Sequence, residues 1–211
     1  MHIRRYIRLA ALCVGISLFA GCAHNITISP DAASMTPEKK PDQIDAAVGL
    51  VVTNAMRTQE AVTPGGGGDK VAYKPYHDLE FPVYLALSQT FKNVVKLDEA
   101  PNEAAARAKG LTYIITPEIA TSSSSSSLLT WPPTDFSVTL TCTVSDPSGK
   151  IIAKPQVTGS GHAEFDEFKH NFGLSADRAT IEAVKKLPGA IEQALGTSTA
   201  QNGTGAQQAA H

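Results

Sequence analysis

The sequence predicts an α+β fold in two layers: a mixed, mainly antiparallel sheet with two main helices on one face. Three observations predict it. Phe136, Val138, Leu140, Cys142 and Val144 alternate strictly with Ser137, Thr139, Thr141, Thr143 and Ser145, the period of a half-buried strand. Two stretches, one around Tyr84 and Leu87 and one from Ser175 to Leu195, carry apolar residues at helical spacing. Further β-rich apolar runs, Ala46–Thr53 and Leu111–Ile119, lie between them.

The chain of 211 residues begins with a segment to be set aside before fold reasoning. Arg4, Arg5 and Arg8 form a positive stretch, and Leu9–Ala20 is an apolar run broken only by Ser17. Twelve helical residues span about 18 Å against about 30 Å of hydrocarbon, so the run fits a signal peptide better than a membrane span. It ends in Leu18-Phe19-Ala20-Gly21-Cys22, which resembles a bacterial lipobox with Phe19 in place of the usual Leu. That resemblance implies a signal peptide over 1–21, cleavage between Gly21 and Cys22, and lipid on Cys22. Ala23, where an inner-membrane retention signal resembles Asp, directs the expectation to the periplasmic face of the outer membrane. Several acyl chains hold a protein on a bilayer where one does so only marginally.

Residues 22–43 are polar and carry Pro30, Pro37 and Pro41, so they are expected to form a lipidated tether reaching roughly 65–70 Å. The alternation of Ile26 and Ile28 allows an edge strand there instead. The folded domain is expected over 44–196. It opens with a buried strand at Ala46–Thr53, followed by a flexible loop over 54–70 that ends in Gly65–Gly68. A short strand over Val71–Tyr76 comes next. Asp78, Glu80 and Pro82 then lead into a helix whose stripe is Tyr84, Leu87, Phe91 and Val94, with Val94–Leu97 as an alternative strand at its end. Asn102–Lys109 is a short alanine-rich helix closed by Gly110, and Leu111–Ile119 is a strand. Ser122–Ser127 reads as an unpacked loop.

The alternating strand turns at Asp146-Pro147-Ser148-Gly149. Its return partner places Ile151, Ala153, Val157, Ala163 and Phe165 on the apolar face, with Pro155 marking an edge and Gly159 and Gly161 allowing a bend. The last helix starts at Ser175 as N-cap, and Pro188-Gly189 is expected to kink or split it. Residues 197–211 lack large apolar side chains and are expected to be a disordered tail.

The whole chain has a net charge of −2. Without Arg4, Arg5 and Arg8, its 18 basic residues become 15 against 20 acidic, a net charge near −5. No basic excess supports a nucleic-acid partner. Of three cysteines, Cys13 departs with the signal and Cys22 carries lipid. Cys142 is left without a disulfide partner and is expected to be buried.

Residues of chemical interest fail the spacings that chemistry needs. Gly65–Gly68 is followed by Asp69-Lys70-Val71, which lacks the Gly-Lys-Ser/Thr order of a phosphate loop. Gly159-Ser160-Gly161 has Glu164 where a dinucleotide loop needs a third Gly. His162-Ala163-Glu164 has no Cys-x-x-Cys pair to complete a zinc deaminase site. His162, Glu164, Asp166 and His170 read as a solvated polar face, with a loose metal cluster as the alternative, and no serine stands in a G-x-S-x-G elbow. No catalytic residues, metal site or cofactor are expected. Leu128, Leu129 and Trp131, the only Trp, sit between the serine run and the hairpin, either as a partner contact or with Trp131 folded back as a core plug.

The layout as a whole resembles small outer-membrane lipoproteins of the YajG type and, more distantly, TolB amino-terminal-like domains. The residues that carry the resemblance are Ile26-Thr27-Ile28-Ser29-Pro30, Val48-Gly49-Leu50-Val51-Val52, Ala108–Ile115, the hairpin with Gly149, and Ala176–Leu187. The glycine run and the serine run depart from that layout. The resemblance implies no catalytic residues. It leads to the expectation of a non-enzymatic lipoprotein that acts through protein contacts in envelope assembly or maintenance, with an envelope partner of unknown identity. The alternative is a periplasmic binding module for a small ligand or glycan.

Overall fold

The computed structural model describes residues 23–36, 43–127 and 130–207, with side chains through Gly196. Strands are β1 (Ala23–Asn25), β2 (Ile44–Val51), β3 (Ala61–Pro64), β4 (Lys70–Tyr73), β5 (Phe91–Leu97), β6 (Tyr113–Ser124), β7 (Asp135–Ser145), β8 (Ile151–Ala153) and β9 (Gln156–His162). Helices are α1 (Ala32–Met35), α2 (Asn54–Thr58), α3 (Pro75–Thr90), α4 (Glu103–Ala108) and α5 (Leu174–Gln207), with a 3₁₀ segment at Phe165–His170.

The main sheet runs β5-β2-β6-β7, with β8 and β9 both pairing on the far side of β7. β2 is parallel to both its neighbours, and every pairing from β6 onward is antiparallel. This is the expected mixed α+β sheet, with α3 and α5 packed together over its apolar face. Val48, Leu50, Ile115, Val138, Leu140, Cys142 and Val144 meet Leu79, Val83, Leu87, Ala179, Ala183, Val184, Leu187 and Ile191 in one core. On the opposite face, α4 covers only the parallel half, where Ala106 packs on Val51, Leu111 and Ile114. Among the described residues, no element covers the outer face of the antiparallel half.

The hairpin follows the alternation closely: residues 135–145 of β7 alternate half-buried and buried without a break. The turn closes through the Gly149 amide donating to the Asp146 carbonyl (2.9 Å), with Gly149 at φ +87°. Two residues of the return strand leave the expected face. Ile151 is exposed because the ladder slips between Val144 and Ser145. Phe165 is exposed because the chain leaves the sheet after His162 and coils into the 3₁₀ segment, whose inward residue is Phe168.

Gly159 and Gly161 do more than permit a bend. They lie under α5, where a methyl at 159 would overlap the Ala179 carbonyl oxygen and the Ala183 amide nitrogen. A methyl at 161 would overlap the same helix at Ser175 and Ala179. The alanine stripe Ala176, Ala179, Ala183 thus seats directly on bare strand backbone. Ser175 lies inside the first turn rather than at the cap, with its hydroxyl donating to the Pro133 carbonyl (2.7 Å). The helix runs through Pro188 unsplit. The absent Pro N–H costs one backbone bond, but Val184, Leu187 and Ile191 bury the same face on either side of it. Backbone helix continues to Gln207, which replaces the expected tail up to that residue; extending a nucleated helix is nearly neutral per residue.

Three further expectations are corrected. Residues 23–36 are not a tether. β1 pairs in parallel with β4, Ile28 and Met35 are fully buried, and two carboxylates clamp the segment. Asp78 Oδ2 accepts from the Ile28 amide (3.2 Å) and Asp177 Oδ1 from the Ser29 amide (2.7 Å). The rest of the expected tether, 37–42, lies outside the described residues.

The loop over 54–70 is instead α2 followed by a β3–β4 hairpin, which with β1 makes a second, three-stranded sheet. Helix α3 starts at Pro75, so Pro82 lies inside it, and Phe91 and Val94 belong to β5, opposite Ile44 and Val48. Tyr76 and Leu79 are buried on the same face as Val83 and Leu87, and that burial extends the helix ahead of Pro82.

Candidate functional site

The open face is built from the polar half of the alternation. The register sets Ser137 beside Ser160, Thr139 beside Thr158, and Thr141 beside Gln156. Across the other edge, Ser122 faces Ser137. The side chains bond in rungs: Ser122 Oγ to Ser137 Oγ (2.8 Å), Thr139 Oγ1 to Thr158 Oγ1 (2.9 Å), and Gln156 Nε2 donating to Thr141 Oγ1 (2.8 Å). Ser122–Ser124 are therefore strand, contrary to the expected loop. Ser123 Oγ turns inward to donate to Thr63 Oγ1 (2.6 Å) and the Pro64 carbonyl (2.5 Å), which ties the small sheet to the large one.

The ladder ends in a charged group. His162 Nδ1 lies 2.8 Å from Asp135 Oδ1 and Nε2 lies 3.1 Å from Glu164 Oε1. Hydrogen bonds to Asp135 and then Glu164 hold the imidazole above its ordinary pKa, and the same bond to His162 holds Asp135 below its own. Both ring nitrogens face carboxylates, so protonation of the ring lets it donate to each of them. A shallow groove of about 480 Å³ lies at this end of the ladder, lined by Ser122, Ser137, Ser160, Asp135 and His162.

Asp135 was not singled out from the sequence. Its signal is the pairing register, which sets it opposite His162. Asp166 and His170 fall in the 3₁₀ segment, away from the strand face. Among the described residues, no group of three or more His, Cys, Asp or Glu is placed to hold a metal ion.

A second surface forms around Trp131. The His24 ring stacks on it with centroids 4.4 Å apart and planes 21° apart, and Phe172 tilts against it at 4.7 Å. Trp131 is half-buried: one side packs against the core, and the other lines a groove of about 490 Å³ with Pro132, Phe165, Phe168, Lys169 and Phe172. Phe165 is 69% exposed and Phe172 49%.

The glycine run holds this loop in place. The Gly66 amide donates to the Trp131 carbonyl (3.0 Å) and the Gly67 amide to the Ser127 carbonyl (3.1 Å). Side chains at 65 or 66 would strike the carbonyls of Trp131 or Thr130, while Gly67 and Gly68 adopt positive φ to close the turn. Leu128, Leu129, Gly21 and Cys22 lie outside the described residues. Among the described residues, no helix is long and apolar enough to cross a membrane.

Taken together, these features define an α+β domain with one open polar sheet face and one aromatic groove. No family model matches the chain, and no curated protein matches it. Among solved structures it is similar to a DUF330 protein from Xanthomonas campestris, at 10% identity and a TM-score of 0.45, covering 85% of this chain and 98% of that one. It is similar to a minor lipoprotein from Acinetobacter baumannii, at 14% identity and a TM-score of 0.38, covering 76% and 96%. It is also similar to PelC from Paraburkholderia phytofirmans, solved as a dodecamer, at 15% identity and a TM-score of 0.37, covering 70% and 93%.

Proposed function

We propose that this chain is a non-enzymatic lipoprotein, anchored through Cys22 to the periplasmic face of the outer membrane. It acts by contacting a protein partner in envelope assembly or maintenance. The address is supported by the lipobox-like Leu18–Cys22 with Ala23 after it, and by the layout resemblance to YajG-type lipoproteins. The contact role rests on one observation: among the described residues, α3, α5 and α4 leave the outer face of β6, β7 and β9 uncovered, as an array of hydrogen-bonded hydroxyls with the Gln156 amide. Antiparallel sheets can offer such a face to water or to a partner.

The test is in-cell photo-crosslinking from a reactive residue at Thr139, with Thr158 and Ser160 as further positions. One dominant envelope protein, captured at all three sites and lost when the crosslinker is moved to Lys109 behind α4, supports the proposal. Absence of any protein adduct at all three sites contradicts it. A second reading, a glycan-binding module, is favoured by the aligned rungs ending in the His162–Asp135–Glu164 group. It predicts a thermal shift with a neutral oligosaccharide that is lost in Thr139→Val/Thr158→Val.

A further inference from the structure

We infer that the aromatic groove of Trp131, Phe165 and Phe172 docks on the bilayer that holds the lipid anchor, and so fixes the domain's orientation on the membrane. The inference rests on the reading of Cys22 as lipidated. Its basis is the absence of a tether where one was expected. A free chain of about 20 residues would let the domain roam 65–70 Å from the membrane. Instead, Ala23–Asn25 form β1, which is locked to β4.

Only Ala23 separates Cys22 from His24, so at 3.8 Å per residue the anchored Cα lies within about 8 Å of that of His24. His24 is stacked on Trp131. The attachment point of the acyl chains and this exposed aromatic cluster are therefore neighbours, though His24, Trp131 and the Phe165–Phe172 stretch lie far apart in sequence.

The chemistry of the cluster suits a bilayer surface. Trp rings favour the headgroup level, where an apolar body meets a polar edge. Phe165 and Phe172 project apolar area beside Trp131, and Lys169 lies on the groove's rim where an ammonium can meet lipid phosphate. Asp166 also lines the groove and faces the same rim, so apolar insertion beside the covalent anchor carries the docking, with charge in a minor role. The glycine clasp on the Trp131 carbonyl holds the loop that presents the ring.

Trp131 is the only Trp, so the full-length lipidated protein reports on itself. It would be reconstituted into vesicles of phosphatidylethanolamine and phosphatidylglycerol that carry a spin label near the headgroup. Trp131 emission should be quenched by the lipid-borne label. Phe165→Ser/Phe172→Ser should lose most of that quenching, whereas Ile151→Ser, in β8 beside the far end of β7, should retain it. A Trp131 that the label does not reach, in protein whose amino terminus is lipidated by mass, overturns the inference; this is also the result expected if the groove is covered by a second copy or by the chain itself. If the mass shows Cys22 unmodified, the anchoring reading falls. The same vesicles mixed with that protein then decide the groove: quenching upholds its lipid affinity and none overturns it.

Discussion

Replacing Gly159 with Ala adds one methyl group, and the structure places that methyl on the backbone of α5. Both atoms it would overlap, the Ala179 carbonyl oxygen and the Ala183 amide nitrogen, belong to the helix ladder and cannot swing aside as a side chain would. The helix must withdraw by roughly 1 Å, a gap that forfeits a quarter to a half of each dispersion contact it opens. The residues that lose contact are Ala176, Ala179 and Ala183, which seat α5 on β9.

Overpacking of this kind costs about 3 kcal/mol, and the stiffer unfolded chain returns about 0.4–1 kcal/mol. A net loss of about 2–2.6 kcal/mol corresponds to a fall in Tm of roughly 4–10 °C for a chain of this size. Circular dichroism melts and urea titrations would measure it. Gly189→Ala is the matched control. It lies on the same helix, where the added methyl meets open space, and it should gain about 1 kcal/mol. A Gly159→Ala protein that melts within about 1 °C of the parent, or above it, would refute the packing argument.

Three further outcomes follow from the structure. Burial alone pushes the Cys142 thiol up to about 12, so it should resist Ellman's reagent in native protein and react once urea unfolds the chain. The imidazole of His162 should titrate above its ordinary value of about 6.5 in proton NMR, and Asp135→Asn should lower it. Because that pKa is raised on folding, the stabilisation it brings is complete below the unfolded value and is lost as pH rises through the folded one. Asp177→Ala removes the acceptor of the Ser29 amide and of Asn171 Nδ2 (2.6 Å), so limited proteolysis should cut between residues 25 and 36 faster than in the parent, whereas Asp146→Ala, in the hairpin turn, should leave that rate unchanged.

The parts of the fold legible in the sequence are those whose burial pattern is local. β7 is half-buried along its whole length, so its two-residue period appears directly in the order of residues. α5 likewise shows its stripe from Ala176 to Leu195. The parts that escaped depend on distant partners. β1 is three residues long and exists because β4, nearly fifty residues on, supplies its ladder. Ser122–Ser124 have no apolar side chain to mark an inner face, yet β7 pairs with each of them. Phe91 and Val94 continue a helical spacing from Tyr84 by coincidence, and pairing with β2 decides that they are strand.

The surfaces divide in the same way. The hydroxyl face was visible as the polar half of an alternation, while its charged end was not, because Asp135 reaches His162 only through register. Trp131 was recognisable as a loop aromatic. Its stacking on His24 and Phe172, and the glycine clasp beneath it, bring together four segments whose spacing carries no periodic signal.

Anchoring, location and the orientation of the Trp131 groove all depend on lipid at Cys22. Intact-mass analysis of the membrane-extracted mature protein, with its amino-terminal peptide sequenced, tests this most directly. The expected product is a chain that starts at Cys22 and carries a diacylglyceryl group on Sγ and a third acyl chain on the amino group. A chain that retains the first 21 residues, or starts at Cys22 with a bare thiol, would contradict it.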